Sequence, residues 1–100
     1  MYLVHLRLLP HPEGERLPES VAALLMQARD VDADRIEHVS VHADATPSPV
    51  VGVYVHAPTL DRAEAAGRLA WIRAVVAHPP LARWELVSAE VPLFRPHLDE

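Results

Sequence analysis

The sequence predicts an α+β fold in which one four-stranded antiparallel sheet is covered on a single face by two helices. Two observations carry this. Tyr2 to Leu9, Arg35 to His42 and Val51 to His56 alternate with period two, which sends successive side chains to opposite faces of a strand. Two other stretches, Leu17 to Arg29 and Asp61 to Ala77, repeat apolar residues at i, i+3 and i+4, so each predicts a helix with one apolar stripe.

In chain order, the first strand places Tyr2, Val4, Leu6 and Leu8 on one face and Leu3, His5, Arg7 and Leu9 on the other. Pro10-His11-Pro12 stops it, because proline cannot donate to a ladder, and Glu13-Gly14-Glu15 reads as a surface loop. Pro18 and Glu19 suit the first turn of a helix that runs to about Arg29, with Leu17, Val21, Leu24, Leu25 and Ala28 as its stripe. Asp30 to Asp34 is an acidic turn. The stretch from Arg35 to Ala57 is a β-hairpin, with Val39 and Val41 on one face of its first strand and His38, Ser40 and His42 on the other. Val51, Val53 and Val55 oppose Gly52, Tyr54 and His56 in its second strand. The connection, Ala43 to Pro49, is too long for a two-residue turn. Pairing about Thr46 keeps the aliphatic rows together and sets His38 opposite Tyr54 and His42 opposite Val50.

Pro58 to Asp61 offers two N-caps for the second helix, and Asp61-Arg62-Ala63-Glu64 has the spacing of a capping box. Ala65, Leu69, Ile72 and Val76 form the expected core stripe, widened by Trp71 and Val75, with Arg62, Glu64, Arg68 and Arg73 on the wet side. His78-Pro79-Pro80 ends this helix, and a last strand runs from Arg83 to about Val91. Its phase is open, since both Trp84/Leu86 and Val87/Ala89/Val91 are apolar. The chain thus divides into one domain, residues 1–91, and a tail, residues 92–100.

Strand, helix, strand, strand, helix, strand is the split βαβ order, which resembles the ferredoxin-like two-layer sandwich and implies strand order 4-1-3-2. Within that topology, RNA-recognition modules need aromatic residues on two central strands, and only Tyr54 falls suitably here. Heavy-metal chaperones need a CxxC pair, and the chain has no cysteine. CRISPR adaptation nucleases place an acidic residue at the end of the first strand, where this chain has Leu8, Leu9 and Pro10. Amino-acid-sensing modules prefer a Gly-rich turn directly after that strand, and Gly14 lies further along. The order also resembles the dimeric α/β-barrel group of small monooxygenases, isomerases and haem-handling proteins, whose signatures are looser.

Composition narrows the chemistry further. The absence of cysteine excludes disulfides, thiol catalysis and iron–sulfur clusters. A net charge of −5, with nine scattered basic residues that are all Arg, argues against a nucleic-acid partner. No apolar run approaches the roughly 18 residues of a membrane span, and Met1 leads into a strand without a basic leader, so a cytoplasmic protein with no membrane partner is expected.

The candidate site is the sheet face opposite the helices, where His5, Arg7, His38, Ser40, His42, Tyr54 and His56 fall. His5, His38 or His56 would be the proton-transfer group of a cofactor-independent enzyme, with Arg7 or Tyr54 stabilising negative charge. His38 and His42 lie roughly 13 Å apart along one strand, too far to share a metal, so His5 with His56 is the candidate metal or haem pair. Glu90 joins them if Val87, Ala89 and Val91 turn inward. His11, His78 and His97 sit beside prolines and are expected in solvent. Trp71 is expected in the core, and Trp84 in the core or at a dimer contact. The face also carries Leu3, Leu9, Tyr54 and, in one phase of the last strand, Trp84 and Leu86, which suits a partner better than bulk water. The expectation is a homodimer, joined face to face as a barrel or edge to edge through the second or fourth strand. It would act as an interaction or ligand-sensing module for a small molecule or protein, with no cofactor; the enzyme and the metal or haem binder are the alternatives.

Overall fold

The structure, a computed structural model, describes residues 1–28, 35–45 and 48–92. Four strands, β1 (Tyr2–Leu8), β2 (Arg35–His42), β3 (Val50–His56) and β4 (Leu86–Glu90), form one antiparallel sheet in the order β2-β3-β1-β4. That is the expected 4-1-3-2 order, consistent with a ferredoxin-like arrangement. Two helices, α1 (Val21–Ala28) and α2 (Leu60–Ala77), complete the α+β domain. None of the described helices is long and apolar enough to cross a membrane.

The hairpin register follows from the aliphatic rows. His38 lies opposite Tyr54, Val39 opposite Val53, Val41 opposite Val51 and His42 opposite Val50, as pairing about Thr46 requires. On the covered face Val4, Leu6, Leu8, Val51, Val53 and Val55 are fully buried, in one cluster with Val21 and Leu25 of α1 and Trp71 and Ala74 of α2. Two bulges adjust the phase at the sheet edges. Glu37 is the extra residue between the Ile36–Val55 and His38–Tyr54 pairs, which lets Ile36 join Val39 in the core although strict alternation would put the two on opposite faces. Val87 is the extra residue opposite the Arg7/Leu8 step. Leu86 therefore turns inward opposite Leu8, Ala89 turns inward opposite Leu6, and Ser88 and Glu90 take the open face. The open phase of the last strand is settled by a bulge that admits apolar residues from both registers.

Several expectations are corrected. α1 starts at Val21, later than Pro18, because residues 18–20 form the turn that leads in: Pro18 O accepts from Val21 N–H at 3.1 Å. Its expected end at Arg29, and the acidic turn Asp30 to Asp34, lie outside the described residues. The N-cap of α2 is Thr59, whose hydroxyl accepts from Arg62 N–H at 3.1 Å. The capping-box spacing from Asp61 is thus unused, and Glu64 instead accepts Val91 N–H at 2.9 Å, tying down the end of β4. Pro79–Arg83 forms a 3-10 turn, so β4 begins at Leu86 and not at Arg83.

The largest correction concerns which side of α2 meets the sheet. Ala63, Gly67, Ala70, Trp71 and Ala74 are buried, whereas Ala65, Leu69, Ile72 and Val76 face out. The reason is distance: a Cβ on Gly67 would stand 3.0 Å from Val4 Cγ1, so the helix lies too close to β1 for Leu or Ile to fit between them. His11 is the other reversal. It is buried, with its ring centroid 4.8 Å from that of Trp84, itself a core residue. Its Nδ1 accepts Glu13 N–H at 3.0 Å, and Nε2 lies 3.4 Å from Glu15 Oε2. Gly14, at φ +79°, closes this turn by donating its N–H to His11 O.

Candidate functional site

With both helices on one face, no described helix covers the other face of the sheet, and its side chains can be read as rows across four strands. Residues opposite one another in a ladder share a face. One row runs Glu90, His5, Gly52, Ser40; the next runs Ser88, Arg7, Val50, His42; and on the other side of the first lie Leu3, Tyr54 and His38.

Gly52 sits at the centre, where any Cβ would press on its neighbours. A Cβ there would stand 3.0 Å from Ser40 Oγ and 3.3 Å from Leu3 Cδ1, so the two neighbouring side chains lean over the bare backbone. Ser40 Oγ in turn lies 3.4 Å from His42 Nε2, with the donor set by the imidazole tautomer. His5 and His42 line an open depression of about 620 Å³ with Val50, and Arg16 and Asp44 form an ion pair at its rim. Burial, and secondarily the nearby His42, hold the His5 imidazole below its ordinary value, so it is neutral near pH 7. A neutral imidazole offers one donor and one acceptor to a bound molecule, or takes up a proton.

The expected site residues divide into two groups. His5 stands with His42 at the depression, Ser40 lies across Gly52 from His5, and Arg7 follows in the next row along β1 without a partner among the described residues. Tyr54 and His38 stack obliquely beyond it, centroids 5.7 Å apart. His56 lies at the far end of β3 opposite Arg35, where its Nε2 is 3.6 Å from Glu37 Oε1 and Glu37 also pairs with Arg35. His5 faces Gly52, four residues from His56 and thus about 13 Å along the strand, so the expected metal pair is not brought together. Glu90 does lie opposite His5, as one phase of β4 required. Even so, no group of three or more His, Asp or Glu side chains among the described residues is placed to hold a metal ion. Trp84 and Leu86 do not contribute to the open face, since both pack on the covered side.

Sequence reasoning placed Ser40 and His42 on this face without assigning them a role. The signal was present: His42 opposite Val50 in the hairpin, combined with the β1–β3 pairing, puts it one row from His5. Arg16 and Asp44, 28 residues apart, carried no such signal. Compared with protein-family models, curated proteins and solved structures, the chain finds no match in any of the three. The class of protein is defined by the fold and this face: a small α+β domain with one bare sheet surface and a histidine-lined depression.

Proposed function

We propose that the chain is a small interaction or ligand-sensing domain that dimerises and works through its bare sheet face. One observation carries the proposal: both described helices pack on the opposite side, leaving half-buried Leu3, Val50 and Tyr54 beside a depression of about 620 Å³ at His5 and His42. A surface mixing apolar and hydrogen-bonding groups with a guanidinium at Arg7 that has no partner among the described residues fits a small molecule bearing a carboxylate, or a second sheet laid against it. The depression is open to solvent in the single chain, which suits reversible binding better than chemistry that needs water excluded.

A second reading rests on the lowered His5 value. A neutral imidazole near pH 7 is what a general base requires, and a dimer closing over the depression would supply the enclosure for a cofactor-independent enzyme with Arg7 or Tyr54 stabilising negative charge. The test is the mass of the chain in solution by light scattering, alongside an NMR titration of its imidazole signals with small carboxylates such as benzoate. The expected result is a dimer that Tyr54→Asp dissociates, and His5 and His42 signals that move on adding benzoate. A monomer whose imidazole signals ignore every carboxylate would end the proposal.

A further inference from the structure

The ion pair at the rim of the His5 depression stands between two cavities. Arg16, Ala43, Asp44 and Ala45 line both the 620 Å³ depression and a neighbouring one of about 300 Å³ that reaches His11, Gly14 and Pro49. Arg16 belongs to the connection between β1 and α1. Asp44 belongs to the tight turn after β2, which Ala45 N–H closes on His42 O at 3.2 Å. The pair therefore ties two loops together where the two cavities meet.

The tie is a weak one. Of the carboxylates close to Arg16 in sequence, Glu13 accepts from Arg83 and Glu15 lies 3.4 Å from His11 Nε2, so among the described residues Asp44 is the acid that meets Arg16. It does so through one nitrogen, Nη1, and one oxygen, Oδ1. A guanidinium carries five N–H donors in a fork that matches both oxygens of a carboxylate, and that fork is largely free here among the described residues. Both side chains are mostly exposed, at 59% and 78%, and exposed pairs hold loosely. A carboxylate arriving in the depression exchanges this single contact for a two-point one. The rest of the lining selects the ligand's body: Val50 and Ala43 supply an apolar wall, and the imidazoles of His5 and His42 supply hydrogen-bonding groups. Asp44 stays close enough to repel a second negative group. Arg7 shares a row with Val50 and His42 yet does not line the depression.

We propose that Arg16 anchors a small monocarboxylate with a compact apolar body, and that Asp44 is the internal counterion this ligand displaces. The inference rests on the reading of the bare sheet face as a ligand site, and it assigns the carboxylate to Arg16. Displacing Asp44 also unties the turn after β2 from the loop before α1, so filling the depression is felt by both loops.

The test measures Kd by NMR titration of the full chain with benzoate, and with benzamide, which keeps the ring but lacks the charge. Asp44→Asn should tighten benzoate binding about two- to fivefold, a gain that shrinks as salt rises, and leave benzamide binding nearly unchanged. Arg16→Gln should weaken benzoate binding at least about tenfold. Asp61→Asn removes the same charge from the exposed first turn of α2 and should leave benzoate binding at the wild-type level. Arg16 and Asp44 are exposed, so their variants should keep the wild-type circular dichroism and melting curve. An Asp44→Asn chain that binds benzoate no more tightly than the wild type, or an Arg16→Gln chain that binds it as well, overturns the inference. Benzoate binding that is lost in Arg7→Gln and kept in Arg16→Gln overturns it while leaving the ligand-site reading in place. A wild type and an Asp44→Asn chain that both ignore benzoate overturn the carboxylate site and this inference together.

Discussion

Gly52 and Gly67 leave the same room and are held by opposite circumstances. A Cβ added at either would stand 3.0 Å from its nearest neighbour. At Gly67 that neighbour is Val4 Cγ1, fully buried with Leu6 behind it in the packed layer between α2 and the sheet. At Gly52 it is Ser40 Oγ, a hydroxyl on the uncovered face that can turn away. The covered face is fixed by close packing between two layers, while the open face is held by its backbone and by a few contacts between neighbouring side chains. Its side chains are therefore available to respond to something else.

The largest effect expected from this contrast is at Gly67. Gly67→Val forces branched atoms into the Val4 contact and should cost about 1–3 kcal/mol in urea denaturation, with the slope of the transition unchanged. Val4→Ala in the same chain should restore part of that loss, making the pair non-additive because the two side chains compete for one space. Simple addition of the two costs would show that α2 does not rest on Val4 as described.

Gly52→Ala should move stability by about 0.5 kcal/mol or less, because the gain in strand propensity offsets the displacement of Ser40. Its signature is chemical: turning Ser40 away breaks the 3.4 Å approach to His42 Nε2, so the His42 imidazole signals should shift while those of His56 stay in place. A loss as large as that at Gly67 would mean that the open face is as tightly packed as the covered one.

The same contrast explains what was legible in the sequence. Strand order followed from the sequence of elements and the hand of their crossovers, and the hairpin register and most of the face membership from alternation, because a one-residue slip would have exposed Val39, Val41 and the Val51/Val53/Val55 row. Alternation fails where a bulge adds a residue, and so Ile36 and Leu86 could not be assigned. The buried side of α2 was misread because Leu, Ile and Val outrank Ala and Gly in hydrophobicity, whereas the separation of helix and sheet selects for size. His11 was misread because its neighbours are prolines, and nothing local reveals that Trp84, 73 residues away, covers its ring. At the site, the face was legible and the grouping was not: which histidines meet depends on registers between three strands, and only one of those was inferable.

The smallest expected effect is the most specific to the open face. The described core is apolar apart from His11, so of the sheet's two faces only the open one carries imidazoles. His5 is held below 6.5 in the folded chain, by burial first and by His42 second, and returns to about 6.5 when the chain unfolds. Between the two values the unfolded chain binds more protons than the folded one. The contribution of His5 is therefore complete above 6.5 and is lost as pH falls from 6.5 through the lower, folded value. His5→Gln should flatten the pH dependence of stability in that window and leave stability at higher pH little changed. The second cause can be separated from the first: His42→Asn removes the neighbouring charge but not the burial, so His5 should titrate in NMR at a higher pH than in the wild type, yet still below 6.5. A His5 titration unmoved by His42→Asn would mean that the two imidazoles do not share the depression, and the site would lose its pairing of His5 with His42.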